Sequence, residues 1–207
     1  EEPALDSLDL LFANLKPGQC LVDTLSVKTT IVNRLSDLKP NFDVLSINPM
    51  FGPSLGFKKQ SVASVTINSG TIANHFISIM QQAGATVAPY TAEQHDRYTA
   101  MTQAATHALI LSYAMTMQAL DYDADAAKPI WTPPHKTLLA LLARMLQADP
   151  EVYRDIQASN PYAAEARKTL QKCLTTFDHN VSSLDSKQFA RELKSLKGIL
   201  QENLTPL

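Results

Sequence analysis

Four stretches of the chain carry side chains whose types and spacing could do chemistry. Asp23-Thr24-Leu25-Ser26-Val27-Lys28 gathers a carboxylate, two hydroxyls and an ammonium directly after an apolar run of strand length. In open α/β sheets, ligands bind at the carboxyl ends of strands. The plainer reading is a helix cap by Ser26 or Thr24. Asn48-Pro49-Met50-Phe51-Gly52-Pro53 also follows a strand-like run, and reads as a rigid turn or as a site. Thr99, Thr102, Gln103, Thr106 and His107 recur at helical spacing among Ala, Met and Leu. A helix with apolar neighbours all round should be buried, so these polar groups need partners from other helices or from a polar ligand. Arg144 lies within Leu138 to Leu146, otherwise nearly all Leu and Ala. It either reaches the surface along its own stem or pairs, and its guanidinium fork suits a carboxylate.

The elements that must position these residues alternate in the first part of the chain. Pro3–Leu15 reads as a helix with Leu5, Leu8, Leu11, Phe12 and Leu15 on one face, stopped by Lys16-Pro17-Gly18. Gln19–Asp23, Phe42–Ile47, Ser61–Ile67 and Thr86–Ala88 read as strands, and Val27–Leu38 and Thr71–Ala83 as helices, with Gly84 closing the latter. Alternating strand and helix predict a mostly parallel sheet with helices on its faces. After Pro89 the pattern becomes entirely helical. One long helix is expected over Thr91–Leu120, opened by a Thr91/Gln94 capping box, followed by helices over Trp131–Gln147, Pro150–Ala158, Pro161–Val181 and Ser186–Asn203. The expected boundary lies near residue 90, between an α/β part over 1–90 and an all-α part over 91–207.

Bulk properties exclude several classes. With 45% hydrophobic and 18% charged residues, the 207-residue chain reads as a globular protein. A net charge of -2 gives no reason to expect nucleic acid or an anionic membrane as partner. The most apolar stretch, Ala104–Ala119, is interrupted by Thr106, His107, Ser112, Tyr113 and Thr116, so no span of a bilayer is expected. Cys20 and Cys173 form no CxxC pair, and a reduced cytoplasmic setting is the default expectation. No His pair at i, i+4 and no Cys/His cluster points to a metal. No G-x-G-x-x-G loop and no G-x-S-x-G elbow is present. Lys187, Arg191, Lys194 and Lys197 read as a solvated helical face, and His75, His135 and His179 are assigned nothing. The chain starts without Met, at a helix-like stretch, which reads as part of a longer protein.

Taken together, the motifs resemble the prephenate dehydrogenase family. That family carries Asp-x-x-Ser-Val-Lys, then His-Pro-Met-Phe-Gly-Pro, then Glu-x-His-Asp opening a long helix, and then Arg-x-x-x-x-Asp-Pro-x-x-Tyr/Trp. Here these read Asp23 to Lys28, Asn48 to Pro53, Glu93-Gln94-His95-Asp96 and Arg144 to Tyr153, in the same order across nearly the whole chain. The resemblance implies a Rossmann-type domain, of which the glycine-rich first βα unit would precede Glu1, followed by an all-helical substrate-binding and dimerisation domain. It implies NAD or NADP as cofactor, a small dicarboxylate substrate, a homodimer, and oxidative decarboxylation of a cyclohexadiene. By resemblance, Asn48 and Ser26 take the catalytic positions, with Ser26 hydrogen-bonded to side chain 48. Arg144, His107 and Gln103 face the substrate, Arg144 on its side-chain carboxylate and His107 along its ring. Thr24, Ser26 and Met50 face the cofactor.

Position 48 departs from the family, which has a histidine there to accept the proton of a C4 hydroxyl as hydride leaves. An asparagine amide has no basic nitrogen near neutral pH, although its carbonyl accepts a hydrogen bond. A C4 amine needs no such base, because its lone pair expels hydride directly. The expected substrate is therefore 4-amino-4-deoxyprephenate, giving 4-aminophenylpyruvate. Two alternatives stay open: an ordinary prephenate or arogenate dehydrogenase, and an inactive dimerising relative. A different Rossmann oxidoreductase, of 6-phosphogluconate or hydroxy-acid type, is disfavoured by Met50-Phe51-Gly52-Pro53 and by the Arg144 pattern.

Overall fold

The computed structural model describes residues 2–183 and 185–200. Contacts divide the chain into two compact units, Glu1–Ala166 and Arg167–Leu207.

The first unit opens with α1 (Glu2–Asp6) and α2 (Leu8–Asn14), then β1 (Cys20–Asp23), α3 (Thr29–Asp37) and β2 (Asp43–Pro49). A loop with a short 3-10 turn over Pro53–Leu55 leads to β3 (Ser61–Asn68), α4 (Thr71–Gln82) and β4 (Thr86–Pro89). The first helix expected from the sequence is thus two, broken at Ser7, whose hydroxyl bonds back to the Pro3 carbonyl at 2.7 Å. The sheet order is β1-β2-β3-β4. The pairs β1/β2 and β3/β4 are parallel and β2/β3 is antiparallel. The mixed topology has a local cause: β2 and β3 are joined by a short loop, whereas returning a strand in parallel takes a longer crossover, usually a helix.

Central strand β2 is buried on both faces, as a strand between two helical layers must be. Alternation sends Leu45 and Ile47 to one core with Val62, Ala73 and Met80, and Val44 to another with Leu8, Ile31, Leu35 and Phe42. Helix α4 ends as its glycine predicts. Gly84 takes φ +93, and the Ala85 amide closes on the Met80 carbonyl at 3.0 Å.

Beyond β4 no described residue is in a strand. The long helix is opened by the predicted capping box at Thr91 and Gln94. It is not one α-helix, however. It runs as α5 (Ala92–Thr99), a π segment over Ala100–Ala105, and α6 (Thr106–Ala119). It is also not buried all round, since Leu109 is 51% and Met115 68% exposed. Then come α7 (Ala124–Ala127), a 3-10 turn, α8 (Pro133–Leu146), α9 (Pro150–Ser159) and α10 (Ala163–Ser183), which continues into the second unit. That unit adds α11 (Ser186–Ser195) and α12 (Lys197–Leu200), where one helix ending at Asn203 was expected; the end of that stretch lies outside the described residues. Within it, Phe177 packs on Phe189 with centroids 6.1 Å apart.

Candidate active site

The site grows from the ends of two parallel strands. β1 ends on Asp23, whose Oδ1 accepts the Leu25 amide at 3.2 Å and turns the chain sharply. The same oxygen receives Lys28 Nζ at 2.9 Å. Lys28 is fully buried, and its ammonium also donates to the Ile47 carbonyl at 2.7 Å. One cation therefore ties the carboxyl end of β1 to that of β2. A buried ammonium must be paired to be tolerated, and both partners here are strand ends, so the pairing fixes the floor of the site.

Helix α3 begins at once, and its first amides need an acceptor. Neither Thr24 nor Ser26 supplies one to it. Asp96, from the first turns of α5, does so from 68 residues away: Oδ1 accepts the Lys28 amide at 2.8 Å and Oδ2 the Thr29 amide at 2.7 Å. Burial pushes the Asp96 carboxyl up, but hydrogen bonds from His95, Thr29 and the Lys28 amide outweigh it, and the net displacement is below the usual carboxylate value. Asp96 is thus ionised at neutral pH. The positive end of α3 adds to this preference.

His95 lies between Asp96 and Asn48. Its Nδ1 is 2.7 Å from Asp96 Oδ1, and its Nε2 is 3.1 Å from Asn48 Nδ2. Asn48, 3% exposed at the end of β2, also points Nδ2 at the Ser26 carbonyl (3.4 Å) and at Gln103 Oε1 (3.5 Å). Asn160 holds this assembly from just past the end of α9, donating to the Asp96 carbonyl at 2.9 Å and to Thr99 Oγ1 at 3.2 Å. A single buried polar chain therefore runs Asp23, Lys28, Asp96, His95, Asn48 and Gln103. The π segment matters to it, because the extra residue in the turn rotates the positions after Thr99 relative to those before. His95 and Gln103 can then both face Asn48.

Several expected positions meet, and others do not. Asn48, Gln103 and Ser26 converge, but Ser26 contributes its backbone carbonyl to Asn48 rather than its hydroxyl. His107 lies one turn beyond Gln103, half-buried, with its ring edge-on to Tyr153 at 4.9 Å. Its Nδ1 is buried with no hydrogen-bond partner among the described residues, and burial lowers its pKa. Arg144 is exposed on α8 and makes no ion pair among the described residues, so no contact joins it to Asn48. Thr24 is exposed and Met50 half-buried. Of the polar stripe, Thr99 is buried, while Thr102 and Thr106 are exposed and bond back to the carbonyls of Tyr98 and Met101.

Sequence reasoning assigned no part in the site to Lys28, His95, Asp96 or Asn160. The available signal was the capping box, which places His95 and Asp96 in the opening turns of a helix with a carboxylate free to reach another helix end. A cavity of about 490 Å³ also went unforeseen. It lies beside β3 and β4 and is walled by Met50, Thr86, Ala88, Tyr98 and Thr102, with His95 at its border. His135, likewise unassigned, has both ring nitrogens bonded to phenols, Tyr113 at 2.7 Å and Tyr122 at 3.0 Å. Among the described residues no cluster of His, Cys, Asp or Glu is arranged to hold a metal ion, and no helix is long and apolar enough to cross a membrane.

Comparison with known proteins places this geometry in a family. Residues 91–195 match the family described as "Prephenate dehydrogenase, dimerization domain". The chain is 38% identical over 203 residues to the 4-amino-4-deoxyprephenate dehydrogenase of Streptomyces pristinaespiralis, covering 98% of this chain and 69% of that protein. The fold is that of the prephenate dehydrogenase of Aquifex aeolicus, at TM-score 0.73 and 17% identity, over 97% of this chain and 74% of the other. A second structure of the Aquifex enzyme, in complex with hydroxyphenyl propionate and NAD+, aligns at TM-score 0.68 and 17% identity over 96% and 73% of the two chains.

Proposed function

This chain belongs to the prephenate dehydrogenase family of oxidoreductases, and from that premise we propose that it oxidatively decarboxylates 4-amino-4-deoxyprephenate to 4-aminophenylpyruvate. The observation that carries the reading is Asn48. It is no stray substitution on a surface: it is buried and bonded at the centre of a polar chain built from β1, β2, α3 and α5. An amide at that point cannot take a proton, so it suits a substrate whose own C4 nitrogen lone pair expels the hydride. The Streptomyces relative carries the same activity in its name.

The residues present fit one end of a nicotinamide cofactor. Thr24, Ser26 and Met50 stand at the carboxyl ends of neighbouring parallel strands, where such folds hold a ligand, while no glycine-rich diphosphate turn lies within residues 1–207. When bound, NAD(P)+ supplies the acceptor for the hydride. Thr24 and Ser26 offer hydroxyls to the carboxamide end of that group, and Met50 offers an apolar wall. Asn48 receives an N–H of the substrate amine and orients its lone pair. Gln103 shares that polar edge. His107, kept neutral by burial, lies along the ring. Arg144, an exposed cation without an ion pair among the described residues, meets the side-chain carboxylate. The α/β part over 1–90 carries the cofactor side, and the helices over 91–207 carry the substrate side and the interface of a cytoplasmic homodimer. Exposed Leu109 and Met115, within the matched dimerisation region, support that interface.

The test is to supply the full-length protein with 4-amino-4-deoxyprephenate and with prephenate, each with NAD+ and NADP+, and to follow reduced cofactor. The amino substrate should be preferred, by up to about 10²–10⁴-fold, the usual worth of a general base. Asn48→His should raise turnover of prephenate. Faster turnover of prephenate by the natural protein would refute the reading.

A further inference from the structure

Asn48 can present either its oxygen or its nitrogen to the substrate, and the two choices read opposite chemistry. Its neighbours decide between them. The Ser26 carbonyl, which can only accept, lies 3.4 Å from Nδ2. Turning the amide over would set two oxygens against each other there. The same Nδ2 is 3.1 Å from His95 Nε2, which must therefore accept, and a neutral imidazole that accepts at Nε2 carries its proton on Nδ1. The far end of the ring agrees independently, since Nδ1 lies 2.7 Å from Asp96 Oδ1, an acceptor that burial and two backbone amides hold in place. Asp96 is ionised at neutral pH for the reasons given above, so a bare Nδ1 against it would be repulsive. The groups facing His95 are thus Asp96 on one side and Asn48 on the other, with Lys28 and Asp23 one step further along the chain.

Both N–H bonds of Asn48 are spent on this framework, one toward His95 and the other toward Ser26 and Gln103. Its Oδ1 accepts no hydrogen bond among the described residues, yet is not among the side-chain atoms sealed without a partner. It remains the one unspent and reachable polar atom of the amide. We propose that His95 is a positioning residue: held by Asp96 in its Nδ1–H form, it locks the Asn48 amide with Oδ1 toward the substrate, making the site an obligate acceptor for an N–H at C4. This deepens the substrate reading above and rests on it for the identity of the donor, though not for the state of His95.

Two measurements test it separately. Nitrogen-detected NMR of the histidine rings in the natural full-length protein should show His95 protonated at Nδ1 and bare at Nε2 at neutral pH; a proton on Nε2 overturns the proposal whichever substrate is used. In kinetics with 4-amino-4-deoxyprephenate, His95→Phe fills the ring volume but removes the acceptor. It should lower kcat by about tenfold to a hundredfold, as a small misplacement of a reacting group does, with a much smaller change in KM. His95→Gln keeps a carbonyl within reach of Asn48 and should restore most of that loss. A folded His95→Phe protein with unchanged kcat, or equal losses in both variants, overturns it. If prephenate proves the better substrate, the substrate reading fails while the NMR result still decides the role of His95.

Discussion

The Asp96 carboxylate receives the amide of Thr29 at 2.7 Å, so the helix that follows the first strand is capped by a residue of the helical region rather than by its own sequence. The bond joins a helix of the α/β part to the first helix of the all-helical part within one compact unit. Asp96→Asn keeps the shape but places an amide NH2 against backbone donors. Loss of hydrogen bonds to a charged acceptor should cost about 2–3 kcal/mol. The pH dependence has a definite sign. The folded pKa of Asp96 is depressed, so its stabilisation is present above the ordinary carboxylate range and fades as pH falls through the lowered folded value. Urea unfolding at neutral pH and in acid should show a large deficit for the variant at neutral pH that narrows in acid. A deficit that is constant with pH would contradict an ionised cap.

Gly70 precedes α4 in extended backbone, and what it supplies is room. A Cβ there would stand 2.0 Å from Asp43 Oδ1. Asp43 needs that space because its Oδ2 caps α4, accepting the amides of Ile72 at 2.9 Å and Ala73 at 3.0 Å. Asp43→Ala should cost about 1 kcal/mol, the usual worth of an N-cap. Gly70→Ala expels the cap and adds strain, so it should cost more. The double variant should be less destabilised than the sum of the singles, since the clash disappears with its partner. Additive losses in thermal or urea unfolding would show that Gly70 and Asp43 act independently.

Most of this architecture was legible in the sequence because its signals are local. The four strands and the helices over 29–37 and 71–82 follow from apolar period, Gly84 and the Thr91/Gln94 box, each acting within a few residues. The motifs at Asp23 and Asn48 were legible as chemistry, and Asn48 with Gln103 does converge. What stayed hidden depends on pairs distant in the chain. That Lys28 would tie Asp23 to Ile47, or that Asp96 rather than Ser26 would cap α3, cannot be read from spacing, because the partners come from other elements. The π segment was equally hidden, because Ala100–Ala105 reads locally as an ordinary helix. Burial of the long helix was overestimated because apolar residues all round it were taken to need a cover within one chain, and Leu109 and Met115 have none there.

His107 gives the last prediction, because burial acts on it with the opposite sign from Asp96. Its ring packs edge-on against Tyr153, its Nδ1 is sealed without a partner, and its folded pKa is lowered. A histidine more easily protonated when unfolded opposes folding at low pH: the unfolded chain binds more protons between the lowered folded value and the ordinary value near 6.5. Stability should therefore be insensitive to this group above that range and should fall as pH drops through it. His107→Leu removes the titration and keeps an apolar contact for Tyr153. Its unfolding midpoint, compared with that of the natural protein, should improve as pH falls from about 7 toward 5, the ordinary histidine range. At the same time loss of the neutral imidazole face beside the substrate should raise KM with kcat less affected. A variant whose stability tracks the natural protein across that pH range would show that the ring is freely protonated where it lies, and so could not serve as a neutral face for the substrate.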